Sequence, residues 1–467
     1  MTPETLTTDY LLIGSGAMGM AFADSIITET DATVLLVDQH HRPGGHWNDA
    51  YPYVRLHQPS AFYGVNSKPL GNDVKDRVGW NAGLYELASG AEVCAYFDQV
   101  MQRQFLPSGR VQYFPSCSYL GDGRFVSVPS GREFSVDVKK KIVDASYMRV
   151  SVPSVRGPLY EVAPGVRCVP LNELPRCARP ASGFVIVGAG KTGMDACLWL
   201  LANGVDPDAI SWIMPRDSWL LDRANIQPHE LCARSLMSGA LQMEAIAGAV
   251  SIADLFARAN ASGVLLRLDE NVRPTMYRCA TVTQAELAQL RRIRNVVRRG
   301  RVKRITQSAI ELEQGSVPSD SGKLYVDCSA DGLEKRPVAP VFDGAQITLQ
   351  TVRSCQQVFS AALIGRVEGA YGDDAEKNAL CTVVPHPNAD LDFLRATLAN
   401  ALNDLRWAQD AGMTAWIANA RLNLFGPRPP SLLADAEALG ALQRFGAQLP
   451  AAIANLQRLL ATPRPTP

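Results

Sequence analysis

Two glycine-rich segments contain the residues of this 467-residue chain that are best suited to chemistry. The segment at 14–19 reads GSGAMG, and the segment at 188–193 reads GAGKTG. In such a turn one glycine permits a tight bend, a second lets a pyrophosphate approach the backbone, and a third lets a helix pack on a strand. The free N–H groups and the dipole of that helix attract phosphates. Two such segments in one chain predict two dinucleotide cofactors, and hence redox chemistry.

The elements around the first segment are those that a dinucleotide site requires. We predict a short strand at 9–13, a helix at 17–28 and a second, parallel strand at 33–37. Asp38 follows this second strand, at the position where an acidic residue binds a ribose hydroxyl. The same order recurs at 184–187, 192–202 and 210–214. The predicted fold class is α/β, with two Rossmann-like dinucleotide-binding domains.

A third stretch, soon after Asp38, contains further motifs. It reads RPGGHW at 42–47 and YPYVRLHQPS at 51–60. It resembles the flavin-containing monooxygenase superfamily, including its Baeyer–Villiger branch, in which a Gly-Gly-x-Trp segment lines the flavin and a Tyr-Pro pair follows. The resemblance covers residues 9–67 well and the second glycine segment moderately. It implies FAD at the first segment, with Gly45, His46 and Trp47 beside the flavin.

The flavin itself suggests which side chains could act on it. A flavin requires backbone close to its flat face, an aromatic residue for packing, and hydrogen-bond donors near its N1–C2 edge. Arg55, His57 and Gln58 can supply such donors and are the predicted catalytic residues. The residues predicted to hold FAD are Gly14, Gly16, Ala17, Met18, Gly19, Asp38, Gln39, Gly45, His46, Trp47 and His57.

The second glycine segment resembles the NADPH-binding motif of the same superfamily. The residues predicted to bind NADPH are Gly188, Gly190, Lys191, Thr192, Gly193 and Arg216. An arginine after the second strand favours the 2′-phosphate of NADPH, whereas an acid there favours NADH. Asp217, next to Arg216, therefore leaves NADH open. The predicted function is an FAD- and NADPH-dependent monooxygenase that inserts one oxygen atom of O₂ into a small organic substrate.

One motif of the superfamily is missing. The family has Phe-x-Gly-x-x-x-His between the two glycine segments, but the corresponding region at 152–160 reads VPSVRGPLY and contains no histidine. An NAD(P)H-dependent flavoprotein reductase or dehydrogenase without oxygenation is therefore the alternative, and a nucleotide-sensing module without turnover is a third. A disulfide reductase is excluded because no cysteine precedes Cys94, and no G-x-S-x-G elbow indicates a serine hydrolase.

The domain organisation follows from the two segments. The predicted FAD-binding domain comprises 1–177 and 325–467, and the NAD(P)H-binding domain at 178–324 is inserted in it. The helix-rich stretch at about 218–300 is expected to determine the substrate. Asp331 is expected to approach the flavin, since it follows a predicted strand at the point where the chain re-enters the FAD domain.

The composition narrows the partners and the location. The chain has 46 Lys+Arg and 46 Asp+Glu, so no overall charge attracts nucleic acid, and the basic cluster at 291–304 is predicted to be a solvated face. The sequence has no run of 18 apolar residues, so no membrane span is predicted. The ten cysteines are scattered, as is typical of a cytoplasmic protein. The six histidines show no ligand spacing, so no metal site is predicted. The sequence leaves a homodimer open.

Overall fold

The computed structural model of the chain describes residues 4–150, 152–330, 332–424, 432 and 435–462. Its strands are β1 Glu4–Ile13, β2 Val34–Val37, β3 Val111–Phe114, β4 Cys117–Gly121, β5 Arg124–Ser127, β6 Glu133–Asp144, β7 Glu161–Val162, β8 Arg167–Pro170, β9 Phe184–Val187, β10 Ile210–Ile213, β11 Ser218–Asp222, β12 Met276–Val282, β13 Asn295–Val297, β14 Val302–Ile305, β15 Ala309–Leu312, β16 Gly315–Pro318, β17 Leu324–Asp327, β18 Phe342–Asp343 and β19 Gln346–Thr348. Its α-helices are α1 Ala17–Glu29, α2 Gly90–Val100, α3 Pro153–Arg156, α4 Lys191–Ala202, α5 Cys232–Ala247, α6 Ile252–Ala261, α7 Gln284–Leu290, α8 Gln357–Ala370, α9 Asp374–Leu380, α10 Leu391–Trp407, α11 Ala411–Asn419 and α12 Ala436–Ala461.

The first sheet is built around β1, which lies between β2 and β6. The strand order is β18-β19-β6-β1-β2-β3, and β19, β6, β1, β2 and β3 run parallel. Leu12 and Leu36 belong to the core that contains α1 and α8, whereas Leu11 and Leu35 pack with Phe125 on the opposite face. Because both faces are covered, β2 is apolar and buried along its whole length. The carboxyl ends of β1 and β2 meet at one edge, which is where the first glycine segment lies.

The second sheet repeats this construction. Its order is β13-β10-β9-β17-β8, and all five strands are parallel. The second glycine segment connects β9 to α4. This sheet also includes residues outside the range 178–324. Strand β8 precedes that range and β17 runs past its end. Strand β17 pairs with both β8 and β9 through backbone hydrogen bonds that the sequence does not indicate. The α/β fold class is confirmed, with parallel strands at the centre of the first sheet and throughout the second.

A helical unit combines the helix-rich insert with the last helices of the chain. Helices α5 and α6 pack with α10 and α12 around Phe256, Phe393 and Leu456. Arg444 of α12 donates to Glu244 of α5 through two hydrogen bonds of 2.7 and 2.8 Å. The insert and the end of the chain therefore share one core. Within the described residues, no helix is long and apolar enough to cross a membrane.

The cysteines differ in one respect from the expectation of scattered, separate thiols. Cys279 of β12 and Cys355, two residues before α8, form a disulfide across a sequence separation of 76 residues. The other eight cysteines form no disulfide within the described residues. The pairing depends on the packing of β12 against the residues before α8, and the cysteine spacing does not reveal that packing.

Candidate functional site

The first glycine segment forms a tight turn between β1 and α1. Gly14 adopts a φ of +106°, which favours glycine, and its N–H donates to the Val37 carbonyl at 2.8 Å. Gly16 immediately precedes α1 and has extended backbone angles. A Cβ at Gly19 would lie 2.1 Å from the Gly14 carbonyl oxygen, so only glycine lets the helix lie this close to the strand. These are the three roles that the motif predicts for its glycines.

The second glycine segment has the same geometry. Gly188 has a φ of +126° and donates to the Ile213 carbonyl at 3.0 Å. Gly190 has extended angles before α4, and a Cβ at Gly193 would lie 2.1 Å from the Gly188 carbonyl oxygen. A Cβ at Gly190 would meet no described atom within 4 Å. The chain thus builds two turns of one design, each at the carboxyl edge of a parallel sheet.

Asp38 fixes the first turn from the end of β2. Its carboxylate accepts from the Ser15 N–H at 2.5 Å and the Ser15 hydroxyl at 2.9 Å, and from the His40 N–H and ring Nδ1 at 2.8 and 3.0 Å. Burial raises the pKa of Asp38, but the hydrogen bonds from His40 and Ser15 outweigh it and lower the pKa overall. Asp38 is therefore an anion that holds the turn, beside the exposed Gln39.

A segment at 44–60, here called the bridging segment, begins on the first turn. The Gly44 N–H donates to the Ser15 carbonyl at 3.0 Å, and a Cβ at Gly16 would lie 3.5 Å from the Cα of Gly45. Trp47 donates from Nε1 to the Tyr63 hydroxyl at 2.7 Å and stacks on the exposed ring of His46. The Gly-Gly-x-Trp residues thus lie directly over the first glycine segment.

The bridging segment then reaches the second turn. The Tyr51 hydroxyl donates to Asp195 of α4 at 2.5 Å, and Asp195 also pairs with Lys191 at the start of that helix. Tyr53 stacks on Trp199 of α4 with ring centroids 5.0 Å apart, and its buried hydroxyl has no hydrogen-bond partner among the described residues. One short stretch of chain therefore contacts the first glycine turn and the helix that follows the second.

His57 lies further along the bridging segment and is held from the insert. Arg223, which is 1% exposed, donates to the His57 carbonyl at 3.0 Å and pairs with Glu286 at 2.9 Å. Burial, and then the charges of Lys191 and Arg223, lower the pKa of His57 to about 3. Its ring is therefore neutral at physiological pH. The buried Nδ1 atom lacks a partner in the part of the chain that the structure describes.

The other predicted catalytic residues are placed differently. Arg55 is exposed and donates to the Leu87 carbonyl at 3.0 Å, and Gln58 is half-buried. Thr192 is half-buried in the first turn of α4, and Asp331 lies outside the described residues. Over the described ranges, no group of three His, Cys, Asp or Glu side chains is arranged to hold a metal ion.

The short connection after β10 contains the two residues, Arg216 and Asp217, from which the sequence predicts NADPH or NADH. Asp217 is 6% exposed and accepts two hydrogen bonds from Arg298, at 2.8 and 3.0 Å. Arg216 instead donates to the Asn388 side chain at 3.1 Å. Asp217 is thus occupied by Arg298, whereas Arg216 is held by a neutral amide.

Sequence reasoning missed several residues of this site. Tyr51, Asp195 and Trp199 join the bridging segment to α4, and Arg223 and Asn388 hold predicted site residues in place. The YPY repeat at 51–53 was a usable signal, since aromatic residues beside a predicted flavin segment need partners. Arg223 and Asn388 had no local signal, because their partners are 166 and 172 residues away.

The comparisons with known proteins agree with this architecture. Residues 12–65 match the family model described as an NAD(P)-binding Rossmann-like domain. The chain is 56% identical over 430 residues to the uncharacterized protein Rv2000 of Mycobacterium tuberculosis, covering 92% of this chain and 80% of that protein. It shows the same identity and coverage to the uncharacterized protein Mb2023 of Mycobacterium bovis. The chain belongs to the family of these mycobacterial proteins.

Flavin monooxygenases are among the solved structures that the chain resembles. A flavin-containing monooxygenase of Stenotrophomonas maltophilia is 14% identical, with a TM-score of 0.47, over 81% of this chain and 100% of that chain. An open crystal structure of cyclohexanone monooxygenase is 14% identical, with a TM-score of 0.49, over 90% and 99% of the two chains. Oxidized steroid monooxygenase bound to NADP is 12% identical, with a TM-score of 0.44, over 97% and 98%.

The pairing of His40 with two carboxylates predicts a pH-dependent stability. Hydrogen bonds to Asp38 and, after the cost of burial, to Asp49 raise the pKa of His40 to about 9. The stabilisation is complete below the ordinary pKa of about 6.5 and is lost as pH rises through 9. We expect His40→Asn to cost about 1–2 kcal/mol at pH 6.5 and little at pH 10. Thermal melts of both proteins across this range measure the difference.

The exposed neighbour His41 provides the matched control. The melting temperature of His41→Asn should follow the wild type at every pH. A constant gap between His40→Asn and the wild type from pH 6.5 to 10 would contradict the charged pairing of His40.

Proposed function

We propose that the protein is an FAD-dependent oxidoreductase that uses NADPH, and that it is a monooxygenase acting on a small organic substrate. The observation that carries the proposal is the bridging segment, which lies on the first glycine turn at Gly45 and contacts the helix of the second turn at Asp195. Two nucleotide turns of the same geometry joined in this way would face one shared site. Two cofactors bound there could exchange a hydride.

The first turn fits the pyrophosphate of FAD. Helix α1 has no acidic residue in its first turn and no side-chain cap, so its N–H groups have no competing side-chain anion. Gly14, Gly16, Ala17, Met18 and Gly19 would hold the phosphates. Asp38 and Gln39 would lie on the ribose side, and Gly45, His46, Trp47 and His57 would lie beside the flavin.

The second turn fits NADPH. Nothing described lies within 4 Å of a Cβ at Gly190, so a phosphate can approach the backbone there, and the first turn of α4 has no acidic residue. Lys191 and Thr192 begin this helix and would contact the phosphates, with Lys191 leaving its pairing with Asp195. Because Asp217 is neutralised by Arg298, Arg216 rather than Asp217 would meet the nucleotide, and a guanidinium favours a 2′-phosphate.

Side chains of the bridging segment would orient the flavin and nicotinamide rings. When bound, FAD supplies a ring that accepts a hydride from NADPH and passes electrons to O₂. His57 remains neutral and offers an unpaired Nδ1, and Tyr53 offers an unpaired hydroxyl. Buried polar atoms normally have partners, so these two are the strongest contacts for polar ligand atoms. The packed rings of Tyr51, Tyr53 and Trp199 would keep water from the bound rings.

Substitutions at the middle glycines test the two cofactor sites separately. A Cβ at Gly16 would make only ordinary contacts and one at Gly190 none, and both residues have angles that alanine adopts. Gly16→Ala and Gly190→Ala should therefore fold normally. We expect Gly16→Ala to lose FAD and Gly190→Ala to keep FAD but bind NADPH at least 10-fold more weakly. Flavin absorbance and NADPH titration measure both.

Two further glycines provide controls. Gly372→Ala, at an exposed position where a Cβ meets no described atom, should leave the melting temperature and both cofactors unchanged. Gly19→Ala should lower the melting temperature strongly, since its Cβ would clash with the Gly14 carbonyl. A Gly16→Ala protein that retains FAD would refute the assignment of the first turn.

Arg216 tests the choice of nucleotide. Removing a guanidinium that meets a phosphate costs about 1.5–3 kcal/mol, or roughly 10- to 100-fold in the dissociation constant. Arg216→Ala should weaken NADPH binding by this factor and change NADH binding less than 3-fold. Arg298→Ala should instead favour NADH, because it frees Asp217. Equal effects of Arg216→Ala on the two nucleotides would refute its role.

The missing Phe-x-Gly-x-x-x-His motif favours a second candidate, an NAD(P)H-dependent flavoprotein reductase without oxygenation. The region at 152–160 begins with α3, where the Ser154 hydroxyl donates to the Asp49 carbonyl at 3.3 Å. Stopped-flow mixing of NADPH-reduced protein with O₂ distinguishes the two. A monooxygenase without substrate should reoxidise in two phases and release its H₂O₂ only in the slower second phase. Single-phase reoxidation with stoichiometric H₂O₂ under several conditions would favour the reductase.

A further inference from the structure

The Cys279–Cys355 disulfide joins two parts of the molecule that carry different halves of the proposed site. Cys279 lies on β12, next to Arg278, which donates to the same Asn388 side chain as Arg216. Cys355 lies two residues before α8. Helix α8 packs on α1 so closely that a Cβ at Gly365 would lie 3.0 Å from the Phe22 carbonyl oxygen. The disulfide therefore connects the Arg216 cluster to the helix that supports the first turn.

The backbone at both cysteines is adapted to this bond. Cys279 has a φ of +55° and Cys355 a φ of +60°, in the left-handed region that side chains other than glycine rarely adopt. Cys279 also lies in an irregularity of the β11–β12 pairing, between the Trp219–Tyr277 and Leu221–Thr281 pairs. Such conformations persist only where the surroundings impose them, and they concentrate at functional sites.

The two sulfur atoms differ in access and in environment. Cys279 is buried in the core of the helical unit, whereas Cys355 is half-exposed. The Ser354 hydroxyl lies 3.4 Å from the Cys355 sulfur, and the Ser354 N–H donates to Asn400 of α10 at 2.9 Å. Of the two cysteines, Cys355 is the one that is partly open to solvent. The Cys355 sulfur is therefore the one that a thiol reaches.

We propose that Cys279–Cys355 is a reversible thiol–disulfide site, and that its reduction loosens β12 and the 386–390 segment around Arg278 and Asn388. A dithiol attacks the Cys355 sulfur, and Cys279 leaves as a thiolate. The second thiol of the reductant then releases Cys355. The products are two protein thiols and the oxidised, disulfide form of the reductant, so two electrons and two protons have been transferred. The consequence for NADPH binding rests on the proposed function, whereas the thiol–disulfide exchange itself does not.

Peptide mapping of the full-length protein tests the thiol–disulfide exchange. The protein is equilibrated in mixtures of reduced and oxidised dithiothreitol, its thiols are alkylated, and it is digested without reductant. The peptide pair containing Cys279 and Cys355 should be cross-linked in the oxidised mixtures and separate in the reduced ones, and the other eight cysteines should be alkylated throughout. Failure to form the cross-link in the oxidised mixtures would overturn the proposal.

Hydrogen exchange of the same samples tests the structural consequence. Residues 276–282 and 386–390 should exchange at least 3-fold faster after reduction, while β1 and β9 remain unchanged. Cys355→Ser should show the faster exchange in both mixtures. Cys177→Ser serves as the matched control, because Cys177 is also half-exposed and donates to a backbone carbonyl, as serine can. Equal exchange of 276–282 and 386–390 in the oxidised and reduced wild type would refute the proposal.

An NADPH titration separates this inference from the proposed function. If both stand, reduction should weaken NADPH binding several-fold in the wild type and not in Cys355→Ser. If NADPH fails to bind in either state while the cross-link and the exchange rates respond, the thiol–disulfide site stands and the assignment of the second turn fails.

Discussion

The site depends on one close contact in each glycine turn. The third glycine of the turn lies against the carbonyl group of the first glycine. A Cβ at Gly19 or Gly193 would lie 2.1 Å from that carbonyl oxygen, which no packing adjustment can accommodate. Without the side chain, the helix lies directly against the strand and begins at the sheet edge. Its first N–H groups therefore point away from the sheet, where an anion can reach them.

The bridging segment is positioned chiefly by polar contacts. The Gly44 N–H, the Tyr51 hydroxyl and the His57 carbonyl each bond to a different element. The buried Arg223–Glu286 pair holds the far end, and breaking such a pair leaves an uncompensated charge. The backbone and Tyr51 form hydrogen bonds in this segment. The Tyr53 hydroxyl and the His57 Nδ1 atom, by contrast, have no hydrogen-bond partner among the described residues. That contrast within one segment is the physical reason for placing polar ligand atoms beside those two residues.

Much of the fold follows from local patterns. The apolar run at 34–37, the glycine spacing and the position of Asp38 all depend on residues close in sequence, and the structure has both βαβ units where the sequence predicts them. The partners of these elements were not predictable in the same way. Strand β8 joins the second sheet by pairing with β17, and Cys279 meets Cys355 across 76 residues. Hydrogen bonds and sulfur contacts of this range have no signature in a single sequence. The roles of Arg55, His57 and Gln58 remain predictions.

The adjacent residues Arg216 and Asp217 show why the sequence alone does not determine the nucleotide. In sequence the two charges are adjacent, and each supports a different nucleotide. In the structure, Arg298 donates two hydrogen bonds to the nearly buried Asp217, whereas Arg216 donates to a neutral amide. A carboxylate satisfied by a bidentate arginine is a poor acceptor for a ribose hydroxyl, because binding the ribose would require that pairing to loosen. The proposed preference for NADPH therefore depends on Arg298, which lies 81 residues beyond Asp217 on a stretch that the sequence predicts only as a solvated basic face.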